Sequence, residues 1–183
     1  MGVINREFLE EYVRESNAIE GIYVRRNHHL FVDHMAAVEL VLKSALELNV
    51  AAAPGDIHRV LMRRQLPDAG AFRKVRVWVG LSSKPRPEDT EELMRRWEES
   101  LQEALRVCPS YSLIQKENLT WHYHHWFEAI HPFVDGNVRT GRLILNNIRL
   151  LLGLPWRIVY SADRARYYES ITLWEAANRE LFS

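Results

Sequence analysis

His131-Pro132-Phe133-Val134-Asp135-Gly136-Asn137-Val138-Arg139-Thr140-Gly141-Arg142 is the stretch that decides how this chain is read. It gathers a base, a carboxylate, a Gly-Asn turn and two arginines into twelve residues. Pro132 disfavours helical geometry at the residue before it, so an incoming helix should stop at His131. Asp135, Gly136 and Asn137 tolerate tight or left-handed backbone, and Asn137 suits the N-cap of a second helix. Arg139 and Arg142, three apart, lie on neighbouring rows of one face at that helix's start. Positive side chains, free backbone N–H groups and the positive end of a helix dipole converge there, an arrangement that suits a polyphosphate. Asp135 can hold Mg²⁺ between itself and phosphate oxygens. His131, with an ordinary pKa near 6.5, is suited to taking a proton from a hydroxyl. Singly, each residue reads as part of a surface corner between two helices; the joint spacing carries the chemistry.

That spacing resembles the signature of Fic-domain proteins, H-P-F-x-[DE]-G-N-G-R-x-x-R, at eight of its nine fixed positions. Val138 departs, standing where the family has its second glycine. A second, shorter pattern lies upstream: Ser16, Glu20 and Gly21 resemble the family's inhibitory motif, [ST]-x-x-x-E-[GN]. The resemblance implies transfer of AMP from ATP to a Ser, Thr or Tyr hydroxyl of a target protein, with ATP and Mg²⁺ required. His131 would be the base and Asp135 the metal ligand; Gly136, Asn137, Val138, Arg139 and Arg142 would hold the nucleotide, and Phe133 would pin the loop to the core. Glu20 would pair with Arg142 and keep it from the γ-phosphate, and in some relatives the same glutamate supports removal of AMP. Glycine in an anion-binding turn permits φ > 0 and close backbone approach, which valine does not favour. Val138 therefore leaves open a weak enzyme, another nucleotide, or a binding module that keeps the fold without turnover.

Composition sets outer limits. A chain of 183 residues is long enough to bury a real core, and on the usual prior of roughly 100–200 residues per domain it makes one domain, residues 1–183; the resemblance implies that residues 1–22 are its inhibitory helix segment. Lys plus Arg equals Asp plus Glu at 24 each, so no global charge draws nucleic acid or an anionic membrane. The lone Cys108 allows no intramolecular disulfide and fits a reducing, cytoplasmic setting. The charged N-terminus does not read as a signal peptide, and Arg6 stands where a myristoylation motif from Met1-Gly2 wants Ser or Thr. The best membrane candidate is broken by Asn146, Asn147 and Arg149. Homo-oligomerisation is left open.

Period and punctuation predict an all-α fold with one small β-hairpin. Residues 5–19 read as an amphipathic helix that Gly21 can stop. Residues 31–48 read as a long core-facing helix through Phe31, Met35, Val38, Val41, Leu42, Ala45 and Leu48. Asp56 reads as the cap of a helix to about residue 64. Residues 72–79 alternate, with Val75, Val77 and Val79 against Arg76 and Trp78, the mark of a strand, followed by a loop over 82–87. Its open edge suits strand addition by a target segment, and it resembles the family's target-docking flap. Helices are expected over 87–105, 119–130, 137–152 and 163–182, the last on Tyr167, Ile171 and Trp174. His28 with His29 lack a Cys or carboxylate at ligand spacing for a metal site, and His122 with His125 lack a second ligand cluster and read as packing. His124 and Phe127 match an H-x-x-F pair that leads into the signature in relatives and supports the core.

Overall fold

The central helix forms because its sequence is apolar over a wide arc and its polar residues find partners inside. Asn137–Leu151 (α6) buries Leu143, Ile144, Leu145 and Ile148, each such side chain stabilising the fold by about 1.5–3 kcal/mol. The computed structural model describes residues 4–80 and 82–182; the Met1-Gly2 start considered for acylation lies outside them. Asn146, Asn147 and Arg149 are buried as well. Asn146 bonds the N–H and C=O of Arg157, Asn147 accepts from Ala52 N–H, and Arg149 forks onto Glu117. No helix among the described residues is long and apolar enough to cross a membrane.

Around α6 stand Arg6–Ala18 (α1), His29–Leu42 (α2), Pro54–Met62 (α3), Thr90–Val107 (α4), Leu113–Ile130 (α5) and Arg164–Ala177 (α7). α6 packs against α1, α2, α3 and α5, while α4 and α7 lie against α5. Asn5 caps α1 by accepting the Phe8 N–H. Leu9, Tyr12 and Val13 bury its apolar face. It closes with Gly21 N–H on Ala18 O and Ile22 N–H on Asn17 O, Gly21 taking φ 74°. His28 caps α2 by accepting the Leu30 N–H. His125 contacts Ser170 and His122 packs on Trp174, which is half-buried beside the buried Tyr167 and Ile171 of α7.

Several boundaries differ from the sequence reading. Lys43–Glu47 continue α2 as a π turn. The wider turn shifts the phase of the apolar positions, so Ala45 stays buried but Leu48 is 57% exposed. α3 starts at Pro54, whose fixed φ suits the first helical position, so Asp56 lies inside the first turn and pairs with Arg59 instead of capping. Residues 87–89 form a 3₁₀ turn before α4. α5 begins six residues earlier than read, at a capping box in which Ser112 and Gln115 each accept the other's N–H. α7 ends at Ala177, and a 3₁₀ turn follows over Arg179–Phe182.

The largest difference concerns the strand. Only Trp78–Val79 (β1) pairs, antiparallel, with Ser82–Ser83 (β2) in the stretch read as a loop. One more bond, Lys84 N–H to Val77 O at 3.2 Å, extends the ladder. Val75 and Arg76 fall outside the strand, and Val75 is exposed. Upstream of Val77, the Val75 carbonyl accepts from the Arg73 side chain and so is drawn to that guanidinium.

Candidate functional site

His131 sits where α5 ends. With helical geometry closed off by Pro132, its backbone turns left-handed, φ 52° and ψ 61°, while its N–H still bonds Phe127 O. The ring's Nδ1 lies 3.3 Å from Glu128 O, and a carbonyl only accepts, so Nδ1 carries the proton and Nε2 the lone pair. Nε2 has no protein partner among the described residues, and the ring lines an open cleft. Burial, then the cations of Lys84 and Arg73, push His131 down to about 4, against the pull of the Glu128 carbonyl and Asp135. The imidazole is therefore neutral at pH 7.

Phe133 is fully buried and stacks on His58, ring centroids 3.8 Å apart. His58 in turn holds the loop: Nε2 donates to Asp135 O at 2.9 Å while Nδ1 accepts from Gly70 N–H at 2.8 Å. Asp135 is exposed, and its Oδ1 accepts the Gly136 N–H at 2.6 Å. Gly136, at φ 72°, occupies the N-cap position of α6 assigned to Asn137. Asn137 is instead the first helical residue, and its amide accepts Phe133 N–H at 2.8 Å and donates to Phe133 O at 2.9 Å. Left-handed backbone at Gly136 completes the turn, and the asparagine side chain is used in closing it. The first N–H groups of α6 have no side-chain cap, which leaves helix-start donors of the kind that suit an anion.

Val138 is helical and takes no positive φ. It packs near Ile19, Tyr167 and Ile171 and lines the cleft beside His131. Valine thus brings bulk to the cleft wall and no backbone strain.

Arg139 and Arg142 are 2% and 1% exposed, not solvated. Glu20 bridges them: Arg142 Nη2 donates to Oε1 at 2.9 Å, and Arg139 Nε to Oε2 at 3.1 Å. Arg142 also donates to Ser16 Oγ at 2.8 Å and Ser16 O at 2.6 Å. Its Nη1 is buried with no partner. Gly21 serves the turn that follows Glu20, its N–H bonding Ala18 O. Below them, burial pushes the Glu128 carboxyl up to about 8, with Arg142 pulling the other way. Glu128 Oε1 has no hydrogen-bond partner, and Oε2 lies 3.9 Å from His131 Nδ1. A Cβ on Gly141 would stand 2.0 Å from that Oε1, so glycine lets α6 pass the carboxyl. His124 bonds Gly141 O and Tyr167 Oη, joining α5, α6 and α7.

The hairpin forms the opposite wall of the cleft, with Arg76, Trp78 and Val79 lining it and Val77 half-buried. Lys84, at its base, is buried in an ion pair with Glu175 of α7 at 2.7 Å. Among the described residues no group of three His, Cys, Asp or Glu could hold a metal ion. Asp135 nonetheless fits Mg²⁺: it is an exposed hard oxygen donor beside an anion site, and Mg²⁺ typically uses one or two carboxylates with phosphates and water.

The Fic/DOC family profile matches residues 54–148, more than half of the chain and all of this loop. The chain belongs to the Fic/DOC family. It is 34% identical over 136 residues to a protein adenylyltransferase Fic of Drosophila virilis, and 32% identical over 136 residues to that of Drosophila persimilis. Each match covers 74% of this chain and about a quarter of the relative, 25% and 24% respectively. Among solved structures, residues 134–508 of Fic-1 from C. elegans superpose with TM-score 0.78 at 25% identity, over 97% of this chain and 58% of that one. A Fic-domain-containing signalling protein of Bacteroides thetaiotaomicron shares the fold, with TM-score 0.79 at 18% identity over 93% of this chain and 73% of its own.

The fold brings together Glu20, Arg139 and Arg142, and it sets His131 on the cleft wall, next to Glu128. His58, Glu128 and Arg73 also belong to this site and are not marked by the motif. The Ser16–Arg142 bonds were implicit in Ser16 standing one helical turn before Glu20. Nothing in the sequence marked His58 or Arg73, since their partners are main-chain groups.

Proposed function

We propose that this Fic domain transfers AMP from ATP to a Ser, Thr or Tyr hydroxyl of a target protein, and that Glu20 holds it in check. The observation that carries the reading is the left-handed turn at His131, which sets a neutral imidazole with a free Nε2 between the hairpin and the uncapped start of α6. The phosphates would lie on the first N–H groups of α6, with Arg139 and Arg142 neutralising charge once Glu20 yields. The target hydroxyl gives its proton to His131 Nε2 as its oxygen attacks the α-phosphorus. The bond from that phosphorus to the bridging oxygen breaks, and pyrophosphate leaves. Asp135 would hold Mg²⁺, which when bound supplies charge neutralisation to the polyphosphate. Positioning and electrostatics are what such a transfer asks of the protein. The exposed hairpin edge would take the target segment as an added strand.

Glu20 supports the regulatory half of the reading, because its carboxylate puts negative charge on the two guanidinium groups that a terminal phosphate needs. The test is labelling of protein with α-labelled ATP in a Glu20→Gly background, with and without His131→Ala. Labelling should vanish with His131→Ala while nucleotide binding stays. Persistent labelling in that variant refutes the role of His131, and absent labelling in the parent favours a binding module.

A further inference from the structure

Arg73 stands at the foot of the hairpin and is 2% exposed. Its guanidinium donates to four main-chain carbonyls. Two of them close α5 and its left-handed residue: Nε to His131 O at 2.8 Å and Nη2 to Ile130 O at 3.4 Å. The other two lie on opposite legs of the hairpin: Nη1 to Val75 O at 3.1 Å and Nη2 to Pro85 O at 2.7 Å. Arg73 N–H adds a fifth bond, to Pro132 O at 2.8 Å. A planar fork with five donors can reach the first four of these oxygens at once; an ammonium on a flexible stem cannot. The carbonyls at 130 and 131 are also among those that a helix end leaves without partners, where a cation is favoured.

We propose that Arg73 is a positioning residue that locks the hairpin to the main chain of His131, so that a target segment paired with the hairpin presents its hydroxyl at a fixed reach from the imidazole. The proposal rests on the AMP-transfer reading for its consequence, but the mechanical coupling stands apart from it. Without the Arg73 guanidinium, the β1–β2 pairing, the His131 N–H bond to Phe127 O and the Arg73 N–H bond to Pro132 O would remain. The four guanidinium bonds to Val75, Pro85, Ile130 and His131 would be lost. Lys84 is a second anchor, but it ties the hairpin to α7 and not to the turn.

The discriminating variant is Arg73→Lys in the Glu20→Gly background, which keeps the charge and removes the fork. Self-labelling with α-labelled ATP should fall at least tenfold in kcat, with KM for ATP within twofold. Amide hydrogen exchange should show residues 74–86 and 128–137 losing protection together while α2 and α3 keep theirs. Labelling within twofold of the parent overturns the proposal, and so does loosening of the hairpin alone. Should Arg73→Lys fail to fold, exchange on the unsubstituted protein in rising denaturant decides: the two segments should open at one common free energy. A hairpin that opens well before the turn overturns the coupling. An unlabelled Glu20→Gly parent would instead refute the transfer reading and leave the exchange result to decide the coupling.

Discussion

On the proposed regulatory role of Glu20, Glu20→Gly should move stability and activity in opposite directions. Glu20 is the shared acceptor of two buried guanidinium groups, at 2.9 and 3.1 Å, and its side chain is 17% exposed. Removing one partner of a buried pair costs about 3–5 kcal/mol. At about 2–4 °C per kcal/mol for a chain of this size, the ligand-free variant should melt roughly 6–20 °C lower. The same change returns charge-assisted donors to the phosphates, each worth about 1.5–3 kcal/mol, or roughly ten- to a hundredfold in binding or rate. Saturating Mg-ATP should therefore raise the melting temperature of Glu20→Gly by more than it raises that of the wild type, because the nucleotide binds only the folded state. Melting curves with and without Mg-ATP, beside labelling at ATP well below saturation, read both effects. Glu20→Gly with Arg142→Ala should lose the gain in labelling. Equal labelling by wild type and Glu20→Gly, with equal nucleotide stabilisation, would show that the bridge is structural and guards nothing.

Val138→Gly should strengthen nucleotide binding by removing bulk from the cleft, while lowering stability by about 0.5–1 kcal/mol because glycine weakens a helix; unchanged affinity in a titration would show that the side chain never meets the ligand. Gly141→Ala should cost about 1–3 kcal/mol by overpacking, since its Cβ would land 2.0 Å from a buried carboxyl oxygen; denaturant melts at the wild-type midpoint would refute that close approach. Glu128 supplies a pH test. Its folded value of about 8 lies above the ordinary 4.5, so between those pH values the folded state holds a proton that the unfolded chain has released. That contribution is present below about 4.5 and is lost as pH rises through about 8, so Glu128→Gln should gain on the wild type in alkaline melts. Parallel stability–pH curves for the two would show that the carboxyl is ionised in place.

The layout of the loop was legible because it is written in side chains at fixed separations. Pro132 stopped α5, apolar spacing buried α6, and the acid at 20 reached the arginine at 142. What the sequence hid depends on main-chain geometry. The N-cap went to Gly136 because a left-handed turn was needed there, and Asn137 could then close the loop on Phe133. Alternation at 72–79 suggested a full strand, yet Arg73 drew off the Val75 carbonyl and left two residues to pair on each side. A π turn, which no periodic pattern announces, put Leu48 outside. The capping box at Ser112 and Gln115 was visible in the sequence and would have set the start of α5 correctly.

With His131 as the base proposed above, its left-handed backbone sets folding and chemistry at odds in a single residue. For an ordinary L-amino acid that conformation costs roughly 1–2 kcal/mol, whereas glycine or asparagine adopts it readily. A selection that rewarded only heat resistance would enrich Gly or Asn at position 131, and each gain in hardiness would be a protein without its imidazole. Libraries built on this domain should therefore be screened for turnover from the first round, because thermal ranking alone drives the population toward inert members.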